Sequence, residues 1–588
     1  MTDLRAIYGT DEPPPARQLL VAGPLTTILE AGQLRDIRWH GSLVLRGIAY
    51  LLRDANWGTL AVDVDAMSIT QAEHRFAVTY QANTPELRYS ARIEGRADGH
   101  LSFEVKALAD TDFVTNRTGF VVLHPDTAAG GKLGVTHTDG RIEEMVFPAR
   151  ISPDQPAVDI AALTHHPASG LTALTNFDGG VFEMEDQRNW ADASFKTYVR
   201  PVAWPRPYVI AAGTEETQAV RLTLRGAPAA AALAETETFV TGTVPPLWLR
   251  LDPDQPVPVR VCLPQLARGL ILRGGAVPDH DRLAAAAALA ARERMDLAVE
   301  VVLPARDAVD EAVALARALA RHPPALLFVA LERDRRTRTS DSLPEGEVPF
   351  QRIAQALRGS LPGQALAFGT PAFFTEFNRN PPPTVDAAFF SIAATVHAAD
   401  DASVIETLGV LREIAQSATA LCPGAGLVPG PLTIAPTISP YAPRLALTDG
   451  TTRTCMAPQD PRHAGLFGAA HLVGSIAALA PVSLALAPAF ATGPYGLAAP
   501  DGTALPLAHV HAEFAAAVGR ALHTSRITES FATISWEGGG LAANLTPDVI
   551  AVPDLPRPLD VLSSSGWQPL VDRSWLHGYA TIRWQGGE

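Results

Sequence analysis

Leu297-Ala298-Val299-Glu300-Val301-Val302-Leu303, followed by Ala308 to Arg321 and then by Leu326-Leu327-Phe328-Val329-Ala330-Leu331, is the passage that sets the fold. Both flanking runs are short and apolar and read as strands. Between them Val309, Val313, Ala316 and Ala320 recur at helical spacing and predict one buried helix face. Strand, helix and strand in this order form the unit of a parallel sheet with helical crossovers.

The alternation extends in both directions. Leu270–Leu272 is a short strand before a helix at about Asp281–Arg294, and Ile353–Leu357 lies in the helix that follows the third strand. Ala365–Gly369 and Ala387–Ile392 are the fourth and fifth strands and Leu432–Ala435 the sixth. A helix at Leu466–Ala478 precedes a later strand at Val482–Leu486. Residues 266–523 are therefore expected to form an eight-stranded (β/α)8 TIM-like barrel, one strand of which the pattern does not locate. An open doubly wound sheet is disfavoured. No Gly-x-Gly-x-x-Gly follows the first strand, and Gly424-Ala425-Gly426 with Gly430 has the wrong spacing.

Before the barrel, residues 1–240 alternate at period two. Leu87, Tyr89, Ala91 and Ile93, then Asp98-Gly99, then Leu101, Phe103 and Val105 predict a hairpin. Gly47–Leu52, Phe76–Tyr80 and Gly119–Leu123 are further strands, and the expected domain is an antiparallel β-sandwich. A proline-dense passage at 241–265 is expected to be a linker, since proline neither donates to a ladder nor sits inside a helix. Residues 524–588 hold short strands at Phe531–Trp536, Leu541–Leu545, Ile550–Val552 and Tyr579–Trp584, expected as a small C-terminal β-domain.

Composition narrows the function classes. A formal net charge of −15 over 588 residues argues against nucleic acid and anionic membrane as partners. Cys262, Cys422 and Cys455 lie too far apart for a disulfide framework or a ligand pair. The N-terminus lacks a signal-peptide core and no run of 18 apolar residues occurs, so a cytoplasmic location is expected. Asn116-Arg117-Thr118 and Asn544-Leu545-Thr546 match a glycosylation sequon that has no meaning there. Gly-x-Ser-x-Gly, P-loop and His-Glu-x-x-His motifs are absent, and the spacing of His509 and His511 sends them to different helix faces, so no metal or cofactor is expected.

What remains is carboxylate, His, Lys and Arg chemistry on loops after strands, where barrels carry their active sites. Phe374-Thr375-Glu376-Phe377-Asn378-Arg379 and Val396-His397-Ala398-Ala399-Asp400-Asp401 follow two strands, and Asp460 and Arg462 precede the helix near 466. Asp400 or Asp401 also fits a helix cap. Glu376, placed after strand four between two phenylalanines, is suited to acid–base work. In the β-domain, Phe182 to Tyr198 mixes acids, Arg, Asn and Lys with several rings, which suits a loop that reaches a pocket better than a solvated turn.

The three-part organisation resembles the glycoside hydrolases with (β/α)8 barrels. The closer resemblance is to the D-apionate lactonase family. It is carried by Arg35–Gly41, Asp54-Ala55-Asn56-Trp57-Gly58-Thr59, Glu185–Tyr198, Phe374–Arg379, Val396–Ala398, Asp460-Pro461-Arg462 and Phe467–Ala470. It implies a hydrolase that opens D-apionolactone to D-apionate in apiose catabolism, with a small sugar lactone as its partner molecule. On that reading Glu376 is general base or nucleophile and His397 its acid–base partner. Asn378, Arg379, Asn189, Asp192, Lys196 and Asp460 hold substrate. The pattern departs from the family after Val482–Leu486, where an acid is expected and Ala487-Pro488-Ala489-Phe490-Ala491 stands instead. Two alternatives stay in view: a retaining glycosidase, against which that absence counts, and a non-catalytic carbohydrate-binding paralogue, which it favours. Oligomeric state is not legible in the sequence.

Overall fold

Two compact units make up the chain. One comprises Met1–Pro13, Asn189–Asp192 and Thr236–Glu588, the other Pro14–Arg188 and Ala193–Glu235. The computed structural model describes residues 3–228, 240–253, 255–258, 266–304, 306–332, 349–382, 385–439 and 445–586. Cys262 and most of the second half of the expected linker lie outside the described residues.

The described strands of Pro14–Arg188 with Ala193–Glu235 all pair antiparallel. Its main sheet runs through neighbouring antiparallel strands from Arg17–Ala22 to Glu215–Gly226 and on to Asp63–Ala72. Rings from strands far apart in that order meet: Tyr50 lies 5.0 Å from Tyr89, tilted, and Phe103 lies 5.0 Å from Phe120, edge to face. The sheet therefore curls over one shared apolar core, as a sandwich does. The predicted hairpin forms from Leu87–Arg96 and His100–Ala109. Gly99 turns it at φ +90°, and a Cβ there would stand 2.5 Å from the Leu224 carbonyl oxygen, so only glycine fits.

In the other unit the barrel strands are Leu247–Leu251, Gly269–Arg273, Asp296–Pro304, Leu326–Glu332, Leu366–Phe373, Ala387–Ala393, a seventh in two pieces at Gly426–Leu427 and Leu432–Thr433, and Leu486–Phe490. Each of the first six pairs with the next in parallel, and the first pairs with the eighth at Leu247↔Leu486 and Arg250↔Phe490. Amides of Leu484 and Ala487 close the circle onto the carbonyls of Leu427 and Pro429. Trp248, Ile271, Ala298, Phe328, Ala367, Phe389 and Ala487 fill the interior.

Three expectations are corrected here. The passage read as a linker holds the first barrel strand, Leu247-Trp248-Leu249-Arg250-Leu251, with all five residues buried. Pro245 and Pro246 come just before it, so the strand keeps every amide it needs for its ladder. Glu376 consequently follows strand five instead of strand four. The last strand is Leu486–Phe490, with Val482 in a short 3-10 turn before it, so Ala487–Phe490 are strand residues. Finally, the helix Ala308–Leu319 buries Ala308, Ala312, Leu315, Ala316 and Leu319 and leaves Ala320 exposed. In an alanine-rich helix several faces look apolar, and the two leucines decide which one packs.

A six-stranded antiparallel sheet from Leu522–Ile527 to Thr581–Gln585 forms the C-terminal β-part, with its own core of Leu559, Leu576, Ile582 and Trp584. No helix among the described residues is long and apolar enough to cross a membrane.

Candidate active site

The loop after strand five is a six-residue helix, Phe374–Arg379. Phe374 and Phe377 both pack on Phe390 of strand six, at 5.2 and 5.4 Å, which pins the helix to the barrel. Thr375 and Asn378 are buried with them. Glu376 and Arg379, three residues apart, share the half-buried face.

Asn189–Asp192 belongs to the same compact unit and meets this rim side chain by side chain. The Asn378 amide donates to Asn189 Oδ1 at 2.8 Å. The Arg379 guanidinium lies 5.4 Å from the Trp190 ring centre. Trp190 meets His397 edge to face at 5.5 Å, and His397 Nδ1 is 2.7 Å from Asp192 Oδ2. Trp190, Phe373, Ala393 and Val396 form one small apolar cluster with Met456 against it, so the polar pairs sit on a packed base. The loop that carries His397 is fixed by backbone bonds, Thr395 N to Ile434 O and Met456 N to Thr395 O, both at 2.9 Å.

A carboxylate oxygen accepts at this contact, so Nδ1 of His397 carries the proton it donates. A carboxylate, a carboxylate-oriented imidazole, an amide and a guanidinium thus stand on two adjacent loops. That set can move protons and hold developing negative charge.

Other candidates are placed differently. Asp460 is buried with both oxygens on Arg462, at 2.9 and 2.7 Å, and it caps the 3-10 turn Pro461–Ala464. Arg462 reaches on to Asp401 at 2.8 Å, and Asp401 also takes Arg453 at 3.0 Å, so Asp460 belongs to a structural clamp. Asp400 caps the helix Asp401–Leu421 through the Ser403 amide. Lys196, in the β-domain, pairs with Glu185 at 3.0 Å. Among the described residues no group of three His, Cys, Asp or Glu side chains could hold a metal.

A further charged cluster pairs Glu300 with two arginines that sequence reasoning does not connect to it. Inside the barrel Glu300 bridges Arg250, at 2.5 Å, and Arg273. Burial would raise the Glu300 carboxyl, but the two guanidiniums outweigh it and hold it at about 2. Its signal was an acid at an inward position of an otherwise apolar strand.

A (β/α)8 barrel with acid–base groups on the loops after its strands, joined to an antiparallel β-domain, defines a barrel enzyme. The chain belongs to the D-apionate lactonase family: the family model for the D-apionate lactonase N-terminal domain matches residues 5–227, and the model for its TIM barrel domain matches residues 271–519. It is 33% identical over 522 residues to a D-apionate lactonase of Brucella anthropi, which covers 84% of this chain and 86% of the relative. Among solved structures, a GH30 endoxylanase from Clostridium papyrosolvens C71 aligns over 59% of this chain and 97% of its own, at 10% identity and a TM-score of 0.35. A putative aldose 1-epimerase from Escherichia coli K12 aligns over 36% of this chain and 99% of its own, at 12% identity and a TM-score of 0.26.

Proposed function

We propose that the protein hydrolyses the lactone of a branched sugar acid, D-apionolactone to D-apionate, within the breakdown of apiose. The observation that carries the reading is the Asp192–His397 pair beside the Glu376 loop in a chain of this family. Glu376 takes a proton from water, and the hydroxide adds to the lactone carbonyl carbon. Asn378 and Arg379 hold the oxyanion and the neighbouring hydroxyls. Collapse breaks the ring C–O bond, the leaving alkoxide takes a proton from Nε2 of the doubly protonated His397 ring, and the proton held by Glu376 passes through water to restore it. The products are the open acid and, at neutral pH, one proton.

A retaining glycosidase would need a second carboxylate about 5–5.5 Å from Glu376. The two acids that could be considered, Asp460 and Glu300, are each committed to arginines. A pH-indicator assay over a panel of aldonolactones tests the reading. D-apionolactone is expected to turn over fastest, and Glu376→Gln to lower the rate by several orders of magnitude. A nearly wild-type rate in that variant removes Glu376 from the chemistry, and no turnover of any lactone removes the function.

A further inference from the structure

We propose that Arg117 and Lys196 form an oxyanion site in the β-domain, and that its ligand is the carboxylate of an open-chain sugar acid. The identity of the ligand rests on the lactonase reading; the site does not.

Arg117 begins the strand Arg117–Pro125, opposite Arg53 and one strand away from Lys196 on Ser194–Val199. Only 7% of it is exposed. Its guanidinium lies 3.6 Å from the centre of the Tyr198 ring and 5.1 Å from that of Trp57. Its Nε is closed to solvent with no hydrogen-bond partner among the described residues, and no carboxylate there pairs with it. Nearby acids are already engaged. Glu185 pairs with Lys196, while Glu183 accepts from the Tyr198 hydroxyl at 2.6 Å and the Val202 amide at 2.7 Å. A guanidinium taken out of water without a counter-charge is costly, as any buried ion is.

The surroundings are built to keep it there. Asp54 Oδ1 accepts from the amides of Asn56 and Gly58, both at 2.7 Å, which holds the turn that carries Trp57 at φ +71°. The Asn116 side chain ties the same turn at the Ala55 carbonyl. That left-handed tryptophan is strained backbone spent on placing a ring beside Arg117. Burial pushes Lys196 down, and Glu185 opposes it, while Arg117 and Arg53 push it further down. A second negative group here would relieve both effects. A guanidinium carries paired N–H groups that match two coplanar oxygens, which is the geometry of a carboxylate. Trp57, half-buried beside it, offers a flat surface for the carbons of a sugar acid, while the buried Tyr198 backs the guanidinium.

The test is calorimetric titration of the full chain with D-apionate, made by alkaline opening of the lactone, for wild type, Arg117→Met and Arg117→Lys. Arg117→Met is expected to weaken binding by about tenfold or more, the scale of one charge-assisted hydrogen bond. Arg117→Lys should restore only part, and KM for the neutral lactone should move far less than the aldonate affinity. Unchanged aldonate affinity in folded Arg117→Met overturns the proposal, as does an equal loss for the neutral lactone or no saturable binding by wild type. If Arg117→Met does not fold, Arg117→Lys and the salt dependence of wild-type binding decide: salt-insensitive affinity overturns it. Arg117-dependent aldonate binding without lactone turnover would sink the proposed function and keep the site. Turnover with Arg117-independent aldonate binding would do the reverse.

Discussion

Asp192 and His397 are 205 residues apart in the chain and 2.7 Å apart in the fold, carboxylate oxygen to ring nitrogen. The contact fixes the imidazole's tautomer and orientation at once. Asp192→Asn removes the charge that stabilises a protonated ring, and wherever its amide nitrogen faces Nδ1 the imidazole must change tautomer or turn. The expected result is a loss of about 10²–10⁴ in kcat, the usual share of a positioned acid–base group, with KM little changed. Steady-state kinetics on D-apionolactone checks it. A loss confined to KM would reassign Asp192 to substrate binding.

The first barrel strand invites a separate check. Were 241–265 a linker, Leu249→Ala would change stability by no more than about 0.5 kcal/mol. Leu249 is instead fully buried between strands two and eight. The expected cost is about 2–5 kcal/mol, read as a fall in the urea midpoint at constant m-value. No measurable fall would put this strand outside the barrel.

How far the sequence reached follows from these residues. Regular periodicity carried information about local structure, and so the 87–105 hairpin and most barrel strands were legible. The first strand was masked by prolines that flank it, whose effect on a ladder depends on position as well as number. At the site, the polar residues after strands five and six stood out against their apolar neighbours. Their partners could not be read, because the pairs Asn189–Asn378 and Asp192–His397 exist only once the chain has folded. Asp460 shows the converse. Its two oxygens look available in a sequence and are both taken by an arginine two residues on. Arg117 was hidden inside a sequon, although the Asn116 amide is in fact occupied by a backbone carbonyl.

Asp460 therefore predicts a stability phenotype. Asp460→Ala strips Arg462, which is fully buried, of two of its three charge-assisted contacts. A cost of about 3–5 kcal/mol is expected, as for other broken buried pairs. Thermal unfolding should report it directly. A variant of normal Tm with a raised KM would return Asp460 to the substrate.

Acid should loosen the fold from about pH 6.5 downwards. Burial holds His165 and His471 at about 4 and His511 at about 3, against an ordinary value of 6.5. Below pH 6.5 the unfolded chain binds protons that the folded one refuses, so stability falls with pH until the folded values are passed. For His471, which no charged partner compensates by hydrogen bonding, the full interval corresponds to roughly 3 kcal/mol at about 1.4 kcal/mol per unit. Glu300 adds to the loss lower down. Its folded value of about 2 lies below the ordinary 4.5, so its contribution is intact above pH 4.5 and disappears towards pH 2. Urea midpoints at pH 7.5, 6, 5 and 4 should decline steadily, and His471→Gln should flatten the slope between 6.5 and 4 by its own share. A flat profile down to pH 4.5 would mean that water reaches these imidazoles in the native state.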